Sequence, residues 1–189
     1  QEIIHSLEPG ESVSLDERKS KRLLQHYSIP VVSEAVVHSE AEAQTQAASL
    51  GFPVVAKGFG SRLSHKSELG LVKLDLRDAA AVRVAFAELL ETGGADLEGV
   101  LLQTQIPGRR EFLAGMFRDP VFGPVIMFGL GGVFAECLAD IALGIAPLED
   151  QEAGDMLDQI RSASLLGHFR GDAPVSRDRL VRILTALSR

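Results

Sequence analysis

A lysine and the loop that follows it are the features best suited to chemistry on a phosphate. Lys57 comes directly after residues 54–56, a short β-branched run bounded by proline and glycine, which is typical of a buried strand. Beyond it, a loop rich in glycine and serine can turn backbone N–H groups toward an anion, and Arg62 and Lys66 add positive charge. This pattern indicates a phosphate site, although a solvated hairpin loop accounts for the composition equally well.

Two carboxylates, Glu136 and Asp140, interrupt an apolar segment at residues 133–145. A buried charge is costly unless it meets an opposite charge, a hydrogen-bond donor or a metal ion. Residues spaced four apart would share one face of either a strand or a helix. The pair therefore indicates a metal or cation site, an outward polar face of an edge strand, or a salt bridge to Arg62, Lys66 or Arg118. Gly131 and Gly132, just before them, allow a ligand or another backbone to approach closely and favour a site.

The net charge of the chain limits its partners. Over 189 residues the formal charge is −7, with a pI near 5.2. Such a chain does not present the extended basic surface that binds nucleic-acid backbones, and a small anionic ligand fits better. We therefore expect no nucleic-acid partner.

The sequence shows no sign of a membrane or secreted protein. The longest apolar stretch, residues 121–135, is broken by glycine and proline and is shorter than the run of about 20 apolar residues that spans a bilayer. No secretion signal is visible, and the single cysteine, Cys137, excludes an intrachain disulfide. A cytoplasmic protein without membrane contact is the expectation.

The elements that must position these residues divide into a linker and two lobes. Residues 1–13 are polar and contain a Pro-Gly turn, which predicts a linker. A first lobe, residues 14–95, combines strands at 31–37 and before Lys57 with three helices. The predicted helix caps are Ser14, Ser39 and Asp78.

A second lobe, residues 96–189, opens with strands at 100–106, 111–117 and 125–128 and ends with two helices. Strands and helices come in clusters along the chain, which favours antiparallel pairing over alternating βαβ units. The predicted fold is therefore α+β, with two lobes whose mostly antiparallel sheets are flanked by helices.

An ordered series of short motifs closely resembles the ATP-grasp domain of ADP-forming acyl-CoA synthetases. The resemblance covers nearly the whole chain from Leu15 onward, and the order of the motifs is far more specific than any one of them. The series consists of Lys57, residues 65–70 (HKSELG), 103–108, 118–120, 122–124 and 127–132, Glu136, Asp140, and residues 146–148, 166–167 and 170–171.

The resemblance implies an ATP-grasp fold with ATP or ADP in a cleft between the two lobes. Lys57 would lie on the phosphates, residues 103–106 would line the adenine, and Glu111 would be near the ribose or phosphate end. The nucleotide-binding residues that it implies are Lys57, Gly60, Ser61, Lys66, Gln103, Thr104, Gln105, Ile106, Glu111, Gly131 and Gly132.

The resemblance also implies a reaction. The family converts an acid, CoA and ATP into acyl-CoA, ADP and phosphate, or runs the reverse, through a phosphohistidine on a CoA-ligase domain. His65 is similar to the second relay histidine of the family, and an imidazole nitrogen is a competent nucleophile and leaving group at phosphorus. Lys57 would assist it, with Mg²⁺ on Glu136 and Asp140. Without the family context, a solvated loop histidine would be the favoured interpretation.

The implied partners are a CoA-binding or CoA-ligase domain of the same or another chain and, through it, CoA and a small carboxylic acid. Family members usually continue with strands that supply further magnesium ligands. We therefore expect the lobe 96–189 to lack its last strands, exposed strand edges to favour a homo-oligomer, and the chain alone to be inactive.

A second interpretation belongs to another functional class. The same domain occurs fused to protein lysine acetyltransferases, where it would be a non-catalytic, nucleotide-sensing or structural domain. Three departures from the family pattern bear on this choice, and the first is Leu71, which stands where a second glycine is common and would stiffen the loop. Thr104 stands where a glutamate is common, and Gly144 stands where an arginine is usual, which removes a positive charge from the implied phosphate region.

Overall fold

The computed structural model describes residue 15 and residues 17–60, 69–132 and 135–189, and these form two compact units. The inserted unit is Val32–Pro107, and the discontinuous unit combines Gln1–Val31 with Gly108–Arg189. The first described helix, α1, spans Glu17–His26. The predicted linker and the cap at Ser14 lie outside the described residues. No helix within the described ranges is long and apolar enough to cross a membrane.

The inserted unit is a four-stranded antiparallel sheet with two helices packed against it. The strand order is β1-β4-β2-β3, and each neighbouring pair is antiparallel. In chain order its elements are β1 (Glu34–Val37), α2 (Glu40–Leu50), β2 (Val54–Phe59), β3 (Val72–Leu76), α3 (Ala79–Gly93), a 3-10 turn (Gly94–Asp96) and β4 (Gly99–Thr104).

Local caps explain where the two helices begin and where α2 ends. Ser39 Oγ accepts the N–H of Glu42 at 3.3 Å, and Asp78 Oδ1 accepts the N–H of Ala81 at 2.7 Å. Gly51 ends α2 with a φ of 82°, which glycine adopts without a Cβ clash. These contacts confirm the predicted caps at both helices and the predicted stop.

Apolar side chains fill the space between α3 and the sheet. Val82, Phe86 and Leu89, predicted at core spacing on this helix, are all buried. They belong to one cluster with Val54 of β2 and Val100 of β4. The helices therefore cover one face of this sheet.

The discontinuous unit is built on a three-stranded antiparallel sheet in the order β5-β6-β7. After α1, its elements are β5 (Phe112–Asp119), β6 (Gly123–Leu130), α4 (Ala135–Leu138), β7 (Ile141–Ile145), α5 (Asp150–Gln159), a 3-10 turn (Ala163–Leu166) and α6 (Arg177–Leu187). Helices α5 and α6 cover one face, where Ile126 and Phe128 form a core with Met156, Leu157 and Leu184.

The α+β class with antiparallel sheets is confirmed, but the boundary between the units differs from the predicted one at 95/96. Strand β4 lies between β1 and β2 in the first sheet, with Leu101 opposite both Val36 and Lys57. Residues 96–107 therefore belong to the inserted unit. The residues of β4 identify it as a strand but do not show which strands it pairs with. The sheet to which β4 belongs could therefore not be predicted from these residues.

Candidate functional site

Lys57 lies inside β2 and not at the strand end, because the strand continues to Phe59. It is opposite Leu101 of β4, whereas Ala56, which alternates with it, belongs to the helix-packed core. Gln103 is two residues from Leu101 along β4 and therefore lies on the same face as Lys57. This face of the inserted unit carries a cation and an amide at positions predicted to hold phosphate and adenine.

Two other residues predicted to line the adenine make contacts within the inserted unit. Thr104 is opposite Val54, a core residue, and its hydroxyl donates to Leu50 O at 3.4 Å. Gln105 Oε1 accepts the N–H of Asp75 at 2.6 Å. Both side chains thus support the fold of this unit, and their contact with a nucleotide stays a prediction.

The remaining predicted residues of the inserted unit lie beyond the strand ends. Gly60 directly follows β2, and Ile106 follows β4 with 65% of its surface exposed. Ser61, His65 and Lys66 lie outside the described residues. Their predicted roles are neither supported nor opposed by the structure.

Three predicted residues of the discontinuous unit lie together at one end of its sheet. Strand β5 begins where β6 ends, because Phe112 is opposite Leu130. Glu111 directly precedes β5, and Gly131 and Gly132 directly follow β6. The N–H of Gly131 donates to Glu111 O at 2.8 Å, which joins the two segments.

The two glycines allow a close approach to the backbone and side chain of Glu111. A Cβ at Gly131 would lie 3.1 Å from the carbonyl carbons of Glu111 and Phe112. A Cβ at Gly132, where φ is 74°, would lie 3.4 Å from Glu111 Oε2. The sequence left open whether a ligand or another backbone segment approaches these glycines. The structure shows the approach of a protein segment, and contact with a ligand stays a prediction.

Asp140 is 6% exposed, and its carboxylate binds backbone N–H groups. Oδ1 accepts the N–H of Arg161 at 2.7 Å, Oδ2 accepts the N–H of Ser162 at 2.8 Å, and Arg161 Nε lies 3.6 Å from Oδ1. The pKa of Asp140 is lowered, first of all by the nearby Ser162 hydroxyl, although this buried hydroxyl makes no hydrogen bond among the described residues. The two N–H groups and the Arg161 charge lower it further, against the opposing effect of burial.

The expectation that Glu136 and Asp140 share one face of a strand or helix is wrong. Glu136 belongs to α4, a helix of four residues, and Asp140 lies beyond its end. The chain turns between them at Ala139, whose φ is 44°. The side chain of Glu136 lies outside the described part of the chain, and in that part no three His, Cys, Asp or Glu side chains group to hold a metal. The magnesium role stays a prediction for both residues, and the contacts of Asp140 favour a structural role.

Sequence reasoning missed two arginines that bind backbone carbonyl groups at this end of the sheet. Arg161 Nη2 donates to Leu138 O at 2.6 Å, and Arg110 Nη1 donates to Leu165 O at 2.9 Å. The partners are 23 and 55 residues apart in the chain, so no local pattern marks them.

The face of the three-stranded sheet opposite α5 and α6 is apolar. Strand register and alternation place Phe117, Val125, Leu143 and Ile145 on it. Phe117, Leu143 and Ile145 are 43%, 51% and 56% exposed, and a cavity of about 270 Å³ opens beside them. A surface of this kind suits an aromatic ring or another apolar surface.

The fold and a comparison with protein families define the class of protein. The model of the ATP-grasp domain family matches residues 7–189. The chain therefore belongs to the ATP-grasp family, and the predicted fold is confirmed.

Within this family the chain is similar to the beta subunit of ADP-forming acetate–CoA ligase I from Pyrococcus furiosus. The two are 36% identical over 180 residues, which cover 93% of this chain and 78% of that subunit. Some relatives are much longer, and the chain spans only 25% of a single-chain ADP-forming acetate–CoA ligase.

Two solved structures of acetyl-coenzyme A synthetase 1 from Candidatus Korarchaeum cryptofilum are also similar. One, in complex with coenzyme A, Ca-AMPCP and HgCl⁺, matches with a TM-score of 0.89 and 37% identity over 98% of this chain and 83% of that chain. The other contains coenzyme A and Mg-AMPPCP, with a phosphohistidine segment pointing towards the nucleotide binding site. It matches with a TM-score of 0.81 and 36% identity over 92% of this chain and 76% of that chain.

Proposed function

We propose that this chain is the nucleotide-handling part of an ADP-forming acyl-CoA synthetase. It transfers a phosphoryl group between ATP or ADP and a phosphohistidine during the reaction acid + CoA + ATP = acyl-CoA + ADP + phosphate. The observation that carries the proposal is the match, with a TM-score of 0.89, to a synthetase structure that contains coenzyme A and a nucleotide analogue.

Lys57 stabilises the nucleotide phosphates in this proposal. An ammonium group forms charge-assisted hydrogen bonds with phosphate oxygens, and charge spreads over these oxygens during phosphoryl transfer. Because Lys57 stands within β2, ladder hydrogen bonds to β3 and β4 fix its backbone. A cation with a fixed backbone, such as Lys57, suits a reaction in which a histidine of the following loop exchanges the phosphoryl group.

His65 carries the phosphoryl group in this proposal. A neutral imidazole nitrogen attacks the γ-phosphorus of ATP, the N–P bond forms as the bond to the bridging oxygen breaks, and ADP leaves with the electron pair. The histidine of the CoA-ligase domain exchanges the group with His65 by the same displacement. The phosphohistidine segment of the Korarchaeum enzyme, which points towards its nucleotide site, supports this role.

Magnesium, when bound with the nucleotide, supplies charge neutralisation and orients the phosphates. Both carboxylate oxygens of Asp140 accept backbone N–H groups, and the described ranges contain no cluster of three ligand side chains. These residues do not form a magnesium cage of their own. The catalytic work assigned to this chain is therefore that of Lys57 and His65.

Formation of acyl-CoA requires further protein in this proposal. The chain spans a quarter of a single-chain ligase, and the CoA-binding domain is expected in the remainder or on a partner subunit. We expect the 189-residue chain by itself to form no acyl-CoA, whichever short acid is supplied with CoA and ATP.

Titration calorimetry with ATP or ADP and Mg²⁺ tests nucleotide binding and the role of Lys57. We expect Lys57→Ala to weaken binding about 10- to 100-fold, since it removes a charge-assisted contact to phosphate. The matched control is Lys73→Ala, because Lys73 pairs with Glu88 at 2.6 Å and lies opposite Ala56 on the helix side of the same sheet. Equal affinities of the two variants would remove Lys57 from the site.

An isotope-exchange experiment tests the role of His65. In the synthetase that contains this chain and its CoA-ligase domain, His65→Asn should still bind nucleotide but lose the exchange of label between ADP and ATP. The wild-type protein and the Lys73→Ala variant provide the reference rates. Exchange at the wild-type rate in His65→Asn would end the assignment.

A further inference from the structure

Arg110 makes an unusual set of contacts for a residue that is only half-buried. Its guanidinium donates to three backbone carbonyl oxygens, from Nη1 to Leu165 O and Gly167 O, both at 2.9 Å, and from Nη2 to Ala173 O at 2.6 Å. A planar group with five donors can serve three acceptors at once, which a lysine ammonium cannot do with the same geometry.

The three carbonyl groups belong to one segment that folds back on itself. The N–H of Val175 donates to Leu166 O at 2.8 Å, which joins the two ends of this segment. Between them, Phe169 and Asp172 form an isolated bridge. Arg110 therefore binds both ends of a closed loop and ties them to the residue that precedes β5.

The position of Arg110 in the chain connects this loop to the candidate site. Its neighbour Glu111 has an exposed carboxylate that lies against Gly132, and its carbonyl accepts the N–H of Gly131. Glu111 lies outside the β5 ladder, so Gly131 and Arg110 provide the fixed contacts on its two sides.

We propose that Arg110 is a positioning residue that holds the Glu111 carboxylate in place for the nucleotide. This inference rests on the proposed function, since it takes Glu111 as a nucleotide contact. Arg110 acts through the backbone, by fixing residue 110 to the loop, and does not touch the nucleotide. Backbone contacts of this kind set the direction of the next side chain, and small displacements of a binding group weaken its contacts.

The adjacent arginine provides a matched control. Arg109 Nη2 contacts Asp172 Oδ1 at 3.3 Å, on the same loop, but its side chain is 68% exposed. An exposed ion pair of this kind contributes little. Arg109→Lys should therefore leave both nucleotide affinity and backbone protection at Gly131 unchanged.

A double-mutant cycle on nucleotide affinity separates positioning from other roles. Arg110→Lys should weaken ATP binding about tenfold in the wild-type background and have no further effect in a Glu111→Gln background. An equal loss in both backgrounds would show that Arg110 acts independently of Glu111. No loss in either background would also overturn the proposal. Failure of the unmodified chain to bind ATP would contradict the proposed function instead, and the next measurement would then decide on positioning.

Hydrogen exchange tests the same inference without any ligand. In Arg110→Lys the amide of Gly131 should exchange at least about tenfold faster. The amide of Ala146, which donates to Pro124 O at 3.0 Å at the other end of the sheet, should keep its wild-type rate. Equal acceleration at both amides would show general destabilisation, and no acceleration at Gly131 would show that Arg110 does not hold this contact. Either result would overturn the proposal.

Discussion

The inserted and discontinuous units hold their candidate residues in different ways. In the inserted unit, Lys57 and Gln103 stand within strands, so strand alternation fixes the face on which they lie. In the discontinuous unit, Glu111 and Gly131 lie where strands end, and the nearby Asp140 lies just before another strand. The positions of the candidate residues are therefore fixed by the sheet in the inserted unit and by contacts of individual side chains in the discontinuous unit.

The difference follows from where backbone groups find their partners. Within a sheet, ladder hydrogen bonds satisfy the backbone on both sides, whereas chain segments beyond the ladder need other donors and acceptors. Arg110, Asp140 and Arg161 supply these at the sheet end of the discontinuous unit. Single substitutions should therefore be milder in the inserted unit than at this sheet end.

The largest effect is expected where β6 meets the segment before β7. A Cβ at Gly129 would overlap the backbone oxygen of Asp140, which cannot move without separating the two segments. A Cβ at Gly58 in the inserted unit would instead meet Leu97 Cδ1 at 2.7 Å, the end of a flexible side chain. Gly129→Ala should lower the free energy of unfolding by about 3 kcal/mol and Gly58→Ala by about 1 kcal/mol, as measured by urea denaturation. Equal losses of unfolding free energy in the two variants would contradict the expected difference between the two units.

Removal of the Asp140 carboxylate should have the next largest effect. Asp140→Ala leaves the N–H groups of Arg161 and Ser162 without their acceptors in a buried place, at a cost of about 2–3 kcal/mol in unfolding free energy. The control is Glu91→Ala on the exposed surface of α3, which should stay within about 0.5 kcal/mol of wild type. A loss for Asp140→Ala as small as that of the control would show that its contacts are dispensable.

The lowered pKa of Asp140 gives the same residue a pH signature. Because the folded-state pKa lies below the ordinary value of about 3.9, its contribution is fully present above that value and is lost as pH falls toward the lower folded pKa. The free energy of unfolding, measured by urea denaturation at several values between about pH 5 and pH 2, should therefore fall less steeply with decreasing pH for Asp140→Asn than for wild type. Parallel slopes for Asp140→Asn and wild type would contradict the assigned cause.

The smallest effect is expected for Thr104 in the inserted unit. Its hydroxyl makes one long hydrogen bond to Leu50 O, and Thr104 is opposite the core residue Val54. Thr104→Val should change the free energy of unfolding by less than about 1 kcal/mol and leave nucleotide affinity unchanged. A tenfold loss of nucleotide affinity in Thr104→Val would instead support the predicted contact between this side chain and the adenine.

Local sequence patterns predicted the parts of the fold that local interactions determine. The caps at Ser39 and Asp78 and the core positions Val82, Phe86 and Leu89 could be assigned because each depends on residues within a few positions. The strand at residues 54–56 was predicted for the same reason, although it continues through Lys57 to Phe59. Its neighbours in the sheet were not, because pairing joins segments far apart in the chain.

The candidate site shows the same limit. The sequence identified Asp140 as a buried carboxylate that needs a partner, but its partners are backbone groups 21 and 22 residues later. Arg110 binds carbonyl groups 55 to 63 residues away, which no periodicity encodes.

The structure shows a packing environment at Gly144 that the resemblance did not indicate. Its lack of a side chain was expected to reduce positive charge around the phosphates. In the structure, a Cβ at Gly144 would lie 2.8 Å from Leu148 Cδ2 and from Met156 Sδ. A side chain here would first meet the packing beneath the sheet, so the local backbone direction decides its surroundings.

The division of the chain into an inserted and a discontinuous unit also bears on synthesis at the ribosome. All four strands of the first sheet lie within Val32–Pro107, so that sheet has its full set of strands as soon as β4 has emerged. Helix α1 is made earlier, but it belongs with residues 108–189, which are translated after that sheet. Domains generally fold as units during translation. A nascent chain should therefore pass through a stage in which the inserted unit is folded while α1 cannot yet pack with residues 108–189.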